Sequence, residues 1–188
     1  MRRYGPQSSW SRQSGHSRYG LLNWFLTHSA HHLPRRLADR HYNRQHIGAK
    51  RFVPPGRCLV LYDLSGAVWV TSWPYAQYVR HAWAGAWVNS IFRREGGIKA
   101  SHMIRNAIAA TRTFWEPPEL GLVTFINRGK VKEKKDYGFC YLRAGFKAVG
   151  ETKSGLLTLQ LLPVDMPDAK APLMMSSLLK GKWDTIWD

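Results

Sequence analysis

The chain has 188 residues, 44% of them apolar and 13% aromatic, enough for one folded domain and too many for wholesale disorder. Its 28 Lys and Arg against 12 Asp and Glu leave a net charge of +16; charges, Gly or Pro break every apolar stretch too early for a membrane-spanning helix, and Met1-Arg2-Arg3-Tyr4-Gly5-Pro6 opens no apolar leader. Two cysteines, Cys58 and Cys140, make neither a disulfide framework nor a Cys-rich zinc site, so the composition reads as a soluble protein of a reducing, cytoplasmic compartment.

Residues 1–19, rich in Ser, Gly, Gln and Arg, read as a basic flexible arm. The folded domain is expected over 20–162, and 163–188 form a tail ending in Trp183 and Trp187. Leu21, Leu22, Trp24, Phe25 and Leu26 predict a short helix within 20–33. Pro34 stands where a first helical residue would, and 35–45 read as a second, basic helix. Phe52-Val53-Pro54-Pro55-Gly56 is a rigid turn. Cys58–Tyr62 and Ala67–Trp73 are β-rich runs joined by Asp63-Leu64-Ser65-Gly66, the pattern of a hairpin. Pro74–Gly85 is a loop or irregular helix dense in aromatics. Ala86–Arg93 alternates as a strand and breaks at Gly96-Gly97.

Ser101 suits the N-cap of a helix from His102 to about Trp115, with Met103, Ile104, Ala107, Ile108, Ala110 and Phe114 on one face. Pro117-Pro118 stops it. Leu122–Ile126 is a continuous apolar strand, as in a sheet centre. A basic loop over 128–136 leads to a short helix, Tyr137–Arg143, that closes at Gly145. Phe146–Glu151 and Leu156–Leu162 form a second hairpin about Ser154-Gly155. This order predicts an α/β (α+β) domain with a mixed central sheet flanked by helices. The helix after Ser101 bridges two parallel strands.

The charge is uneven. Residues 1–60 carry eleven of the basic residues, six of the eight histidines and one acid, Asp39. A pI near 10.3 with that asymmetry points to a polyanion partner, DNA or RNA, bound with strong salt dependence. The candidate phosphate contacts are Arg35, Arg36, Arg40, Arg44, Lys50 and Arg51, then Arg128, Lys130, Lys132, Lys134 and Lys135; the plainer alternative is solvated surface charge. Tyr137 and Phe139, behind the second group, are candidates for stacking on a base. Tyr75, Tyr78, Trp83 and Trp87 are candidates for stacking on a flipped base, with core packing expected for at least two of them. No basic amphipathic helix with a broad apolar face marks a membrane surface.

Tyr141-Leu142-Arg143-Ala144-Gly145-Phe146, followed by Val149-Gly150, resembles the Y-x-x-x-GF-x-x-x-G signature of the GNAT (Gcn5-related N-acetyltransferase) fold, whose layout the element order also follows. Tyr141 then sits on the short helix, Gly145 permits the left-handed turn out of it, and Phe146 enters the core. Arg93-Arg94-Glu95-Gly96-Gly97-Ile98 stands where that fold carries its pyrophosphate loop, Gln/Arg-x-x-Gly-x-Gly/Ala. Arg93 and Gly96 fit; Ile98 departs. A narrower likeness runs through Asp39-Arg40-His41-Tyr42-Asn43-Arg44, Phe52 to Gly56, Phe92 to Gly96 with Ser101, and Tyr141 to Phe146. These residues resemble a phage and bacterial group similar to the Mom-type proteins, which modify adenine in DNA and protect it from restriction. The likeness covers roughly 35–162. Asn43 stands where the group often has Ser, and Asn127 where related proteins often have Asp.

In His41-Tyr42 the imidazole is a candidate general base or metal ligand and the phenol a proton donor or oxygen ligand; the alternative is an ordinary His beside a core Tyr. Iron at this pair is implied only by the Mom-type resemblance. By the GNAT resemblance Tyr141 is the general acid that protonates a leaving thiolate; otherwise it packs the core. Asn127, at a strand end, binds substrate through its amide or is a turn Asn. Arg93, Arg94 and Lys99, with Gly96, Gly97 and Ser101 at a helix N-terminus, hold an acyl-CoA pyrophosphate or a DNA phosphate, or are solvated charges and a cap. His28, His31 and His32 have no acid beside them but Asp39 and make a poor metal site. Three functions follow: a GNAT-like enzyme modifying a nucleobase in DNA, adenine's exocyclic amine first; an acyl-CoA-dependent N-acetyltransferase of a small amine or protein; and a non-catalytic nucleic-acid-binding protein on the same scaffold.

Overall fold

The structure, a computed structural model, describes residues 24–96, 98–131 and 136–174. The arm over 1–19, Gly97, Lys132, Lys134, Lys135, Trp183 and Trp187 lie outside the described residues. In chain order the elements are β1 (Phe25–Thr27), α1 (His32–Ala38), β2 (Arg57–Asp63), β3 (Ala67–Trp73), β4 (Trp87–Arg94), α2 (Ala100–Thr111), β5 (Leu122–Ile126), α3 (Phe139–Leu142), β6 (Lys147–Glu151), β7 (Leu157–Leu161) and β8 (Leu173–Met174). The eight strands form one mixed sheet in the order β6-β7-β5-β4-β3-β2-β1-β8. The β4–β5 and β1–β8 pairs are parallel, and the others are antiparallel.

Strand side chains alternate between two faces, so each strand of the sheet centre feeds two cores. Trp69 of β3, Trp87 of β4, Leu122 of β5 and Leu159 and Leu161 of β7 pack with Met103, Ile104 and Ile108 of α2 and with Phe146. Val68, Val70, Val60 and Ile91 face the other way, against Leu37 and Ala38 of α1 and Phe52. The first core has a polar pin: Trp69 Nε1 donates to Thr71 Oγ1 at 2.7 Å, and that oxygen lies 3.0 Å from Thr111 Oγ1 on α2.

The hairpins β2–β3 and β6–β7, the strands β4 and β5 and the short helix α3 stand where the alternation put them. Four expectations are corrected. Phe25–Thr27 is a strand, not part of a helix within 20–33. Its aromatic and β-branched residues pair with Val60–Tyr62, and Trp24 Nε1 donates to Met103 O at 3.0 Å. The helix expected over 35–45 ends at Ala38, and the chain then winds in turns. Asp39 causes this: one carboxylate oxygen accepts from Arg44 Nε at 2.7 Å and the other from the Gly48 amide at 3.1 Å, a loop-closing alternative to helical bonding. Ser101 is the second residue of α2 rather than its cap; Lys99 occupies the N-cap, and no side chain bonds there. That helix stops at Thr111 instead of reaching Trp115, and Phe114 is 44% exposed. Thr113 Oγ1 donates to Ala110 O at 2.7 Å just past its end.

Over 163–174 the chain stays on the domain. Met166 is buried, Arg112 donates to Pro167 O at 2.6 Å, and the Leu173 amide donates to Trp24 O at 2.8 Å.

Two irregularities position the site. Val70 is opposite Ile91 while Thr71 is opposite Asn89, so Ser90 is skipped in the register with β3, and β4 bulges there. In addition, β4 and β5 pair only at Trp87↔Leu122, Val88↔Val123 and Asn89↔Thr124. Past those three pairs the two parallel strands part. A gap opens in the middle of the sheet at their C-terminal ends, where ligands of open α/β sheets bind.

Candidate functional site

A cleft of about 950 Å³ fills this gap. Its walls come from both sides of the sheet. His41, Tyr42 and Asn43 enter from the turn after α1. Lys99, Ser101 and Arg105 enter from the start of α2, Arg94 from the end of β4, and Tyr141 and Arg143 from α3 and the turn after it. Asn89 and Thr124, the last paired residues of β4 and β5, form its throat. Arg94, Lys99, Arg105 and Arg143 give it four cations, and among the described residues no Asp or Glu lines it.

Two ion-pair groups hold the His41 turn. The Asp39–Arg44 pair, buried at the guanidinium, closes the loop, and Arg44 also donates to Ala49 O at 3.1 Å. Arg40 grips Glu95 with contacts of 2.7 and 2.8 Å to its two oxygens, while Arg93 donates to the Arg40 carbonyl at 2.8 Å and to Glu95 at 3.2 Å. Arg44 therefore closes the turn on itself, and Arg40 and Arg93 clamp it to the end of β4. Arg93 does not line the cleft. The Arg40 and Arg93 contacts hold Glu95 below the usual carboxylate range.

Within the turn, His41 Nδ1 accepts the Asn43 amide at 3.2 Å, and its ring stacks on Tyr42 with centroids 4.5 Å apart. Burial, reinforced by the adjacent Arg93 charge, pushes the imidazole down to about 4. His41 is thus neutral near pH 7, and with Nδ1 accepting, its single proton sits on Nε2. Burial raises the Tyr42 phenol, against a hydrogen bond from the Asn127 backbone.

The His41 shift has a consequence for stability. The unfolded chain takes up the proton near 6.5 and the folded one only near 4. Stability is therefore unaffected above about 6.5 and falls as pH drops through the window between the two values. With a discount for partial exposure, wild type is expected to lose about 2 kcal/mol more than His41→Gln between pH ~7 and pH ~4.5. Chemical denaturation of both proteins at the two pH values checks this, and equal losses would contradict it.

At the throat, Tyr141 Oη donates to Asn89 Oδ1 at 2.5 Å, and Asn89 Nδ2 donates to Val70 O and Ile91 O, both at 3.0 Å. The Thr124 hydroxyl bears on the phenol oxygen. Burial, then the Cys140 thiol, pushes Tyr141 well above the ordinary phenol value. Every polar atom of Asn89 that faces inward is satisfied, as a buried amide requires. The amide also bridges the bulge, since its two acceptors lie on β3 and β4.

Of the residues singled out in the sequence, the cleft gathers His41, Tyr42, Arg94, Lys99, Ser101, Tyr137, Phe139 and Tyr141. It does not gather Arg93 or Asn127. Asn127 Oδ1 accepts the Gly129 amide at 3.0 Å as the cap of a short turn. Gly96 is explained by packing: a Cβ there would sit 2.6 Å from Ser65 O of the β2–β3 turn. Arg128 pairs with Glu151 at 2.5 Å; Arg36, Lys50, Arg51 and Lys130 are exposed and Arg35 half-buried, all outside the cleft. Trp87 is fully buried, Trp83 half-buried, and Tyr75 and Tyr78 exposed. Asn89, Thr124, Arg105 and Arg143 were missed. A signal existed for the first two: Thr124 is the one polar residue of Leu122–Ile126, and Asn89 stands two residues from Trp87 and from Ile91.

Iron is a poor match to His41-Tyr42. The imidazole Nδ1 is engaged by Asn43, the phenol by Asn127, and no carboxylate lines the cleft among the described residues. The same four cations do suit an anionic group. Comparison of the chain with protein-family models, with curated proteins and with solved structures found no match.

Proposed function

We propose that the chain is a GNAT-like transferase that modifies a nucleobase carried on DNA, with the exocyclic amine of adenine as acceptor. The observation that carries the reading is a cleft passing between two parted parallel strands, cationic at the α2 side and presenting a neutral His41 at the α1 side. The helix α2 between the parallel strands and the unpaired strand ends support a GNAT-like arrangement. The adenine acceptor rests on the Mom-type likeness of the His41-Tyr42, Ser101 and Tyr141–Phe146 segments.

In this reading the acceptor base enters from the His41-Tyr42 side. His41 Nε2–H hydrogen-bonds the base or the oxygen that gains charge during transfer, so the imidazole acts as a donor rather than a base. Tyr141 holds the throat open through Asn89; its proton is committed to the amide, which argues against a thiolate-protonating role. Arg94, Lys99 and Arg143 fit an anionic donor such as acyl-CoA, which when bound supplies the group transferred. The same cations disfavour a free cationic amine, and this separates the reading from an ordinary small-amine acetyltransferase.

The test is nucleoside mass spectrometry on DNA from cells expressing the full chain, beside cells expressing His41→Ala. A new mass on deoxyadenosine that the variant lacks is expected. An unchanged profile from well-expressed protein, in a host supplying acyl-CoA, overturns the reading.

A further inference from the structure

We infer that the segment Tyr75–Trp83 is a base-stacking platform that holds unpaired DNA next to the cleft; this rests on the proposed action on DNA. Tyr75 and Tyr78 are 60% and 74% exposed, large aromatic rings left uncovered beside each other, with centroids 6.4 Å apart and planes at 77°. They are held rather than loose. The turn between them is closed by the Tyr78 amide on Tyr75 O at 3.0 Å and the Val79 amide on Ala76 O at 3.1 Å.

The segment reaches the cleft wall at its far end. His81 Nδ1 accepts the Trp83 amide at 3.2 Å, and the His81 ring lies 4.8 Å from Phe125, which lines the cleft. His81 and Trp83 thus meet the cleft wall at Phe125, and Tyr78 and Tyr75 stand three and six residues before His81 in the same segment. Its charge suits a polyanion: Arg80 is exposed within it, Arg57 lies over Trp73 at 5.5 Å, and the chain has no acid between Asp63 and Glu95. Exposed aromatic faces with flanking guanidinium groups are what single-stranded DNA needs, since each base offers a face and each phosphate a charge. A duplex keeps its bases stacked internally, so the partner is a strand unpaired around the nucleotide in the cleft.

The test compares two single-stranded oligonucleotides of equal length, one carrying thymines and one abasic, by fluorescence anisotropy at fixed salt with the full chain. Wild type is expected to bind the thymine strand more tightly. Tyr75→Ala/Tyr78→Ala is expected to weaken that binding about 10- to 100-fold and to leave the abasic strand unchanged, whereas Tyr75→Phe/Tyr78→Phe keeps the preference. Equal wild-type affinity for both strands, or equal loss on both in the Ala variant, overturns the platform and leaves the DNA reading standing on charge. Binding to neither strand by wild type overturns both.

Discussion

His41→Ala is expected to lower base modification at least about 100-fold, whereas His41→Gln retains a tenth or more of the wild-type level. The asymmetry follows from where the proton is. His41 Nδ1 accepts the Asn43 amide, so the neutral ring offers Nε2–H to the cleft. A donor aimed at developing charge contributes about 10²–10³ in rate. Glutamine places an amide N–H at similar reach and has no basic nitrogen. If His41 instead removed a proton from the acceptor amine, Gln would fall as far as Ala. The pH profile gives a second readout. A donor that ionises only near 4 leaves activity flat through the range where an ordinary histidine titrates. Both variants leave the Asp39–Arg44 and Arg40–Glu95 pairs in place, so the turn itself is retained.

Asn89→Ala is expected to cost about 3 kcal/mol of stability and to lower Tm by roughly 6–12 °C. Three groups lose their partner at once: the Tyr141 phenol and the carbonyls of Val70 and Ile91. Each buried orphan costs about 1–3 kcal/mol, with relaxation and entering water reducing the total. Tyr141→Phe, by contrast, removes one hydroxyl and leaves only the Asn89 oxygen short, a loss of about 1–2 kcal/mol. Combining the two is expected to cost less than their sum by about 1 kcal/mol, because the phenol that Asn89→Ala orphans is then gone. Denaturant titration of the four proteins reads the coupling; strict additivity would show that the 2.5 Å contact carries no energy.

What the sequence made legible followed from periodicity and from glycine. The β2–β3 hairpin has β-branched and aromatic residues around a turn closed by Gly66, and α2 carries Met103, Ile104, Ala107 and Ile108 at helical spacing, all buried. Alternation is a local signal and local structure obeyed it there. Phe25–Thr27 is ambiguous in the sequence because Trp24, Phe25 and Leu26 fit either period, and pairing with β2 decides between them. The helix over 35–45 was overextended because Asp39 and Arg44 look like surface charges until the loop closes around them. The site divided along the same line. His41, Tyr42, Ser101 and Tyr141 lie in separate segments that the fold brings to one cleft. Arg93 and Asn127 looked available because a sequence does not show that Arg40 and Gly129 already engage them. The throat residues, Asn89 and Thr124, stand out locally only as polar positions among apolar ones; that they form a throat follows from a bulge and a parting of strands that no local pattern announces.

That parting also has a mechanical meaning. In the ladder, three residue pairs join β6-β7-β5 to the five strands beginning at β4, and the core under α2 packs against both parts. The sheet is in effect two plates on a short hinge, with the cleft at the open end. Its aperture is set by the angle between the plates. Twist about Trp87–Asn89 changes it without breaking a ladder in either plate, and Asn89, bonded to β3 and β4 and to Tyr141 across the gap, resists that twist.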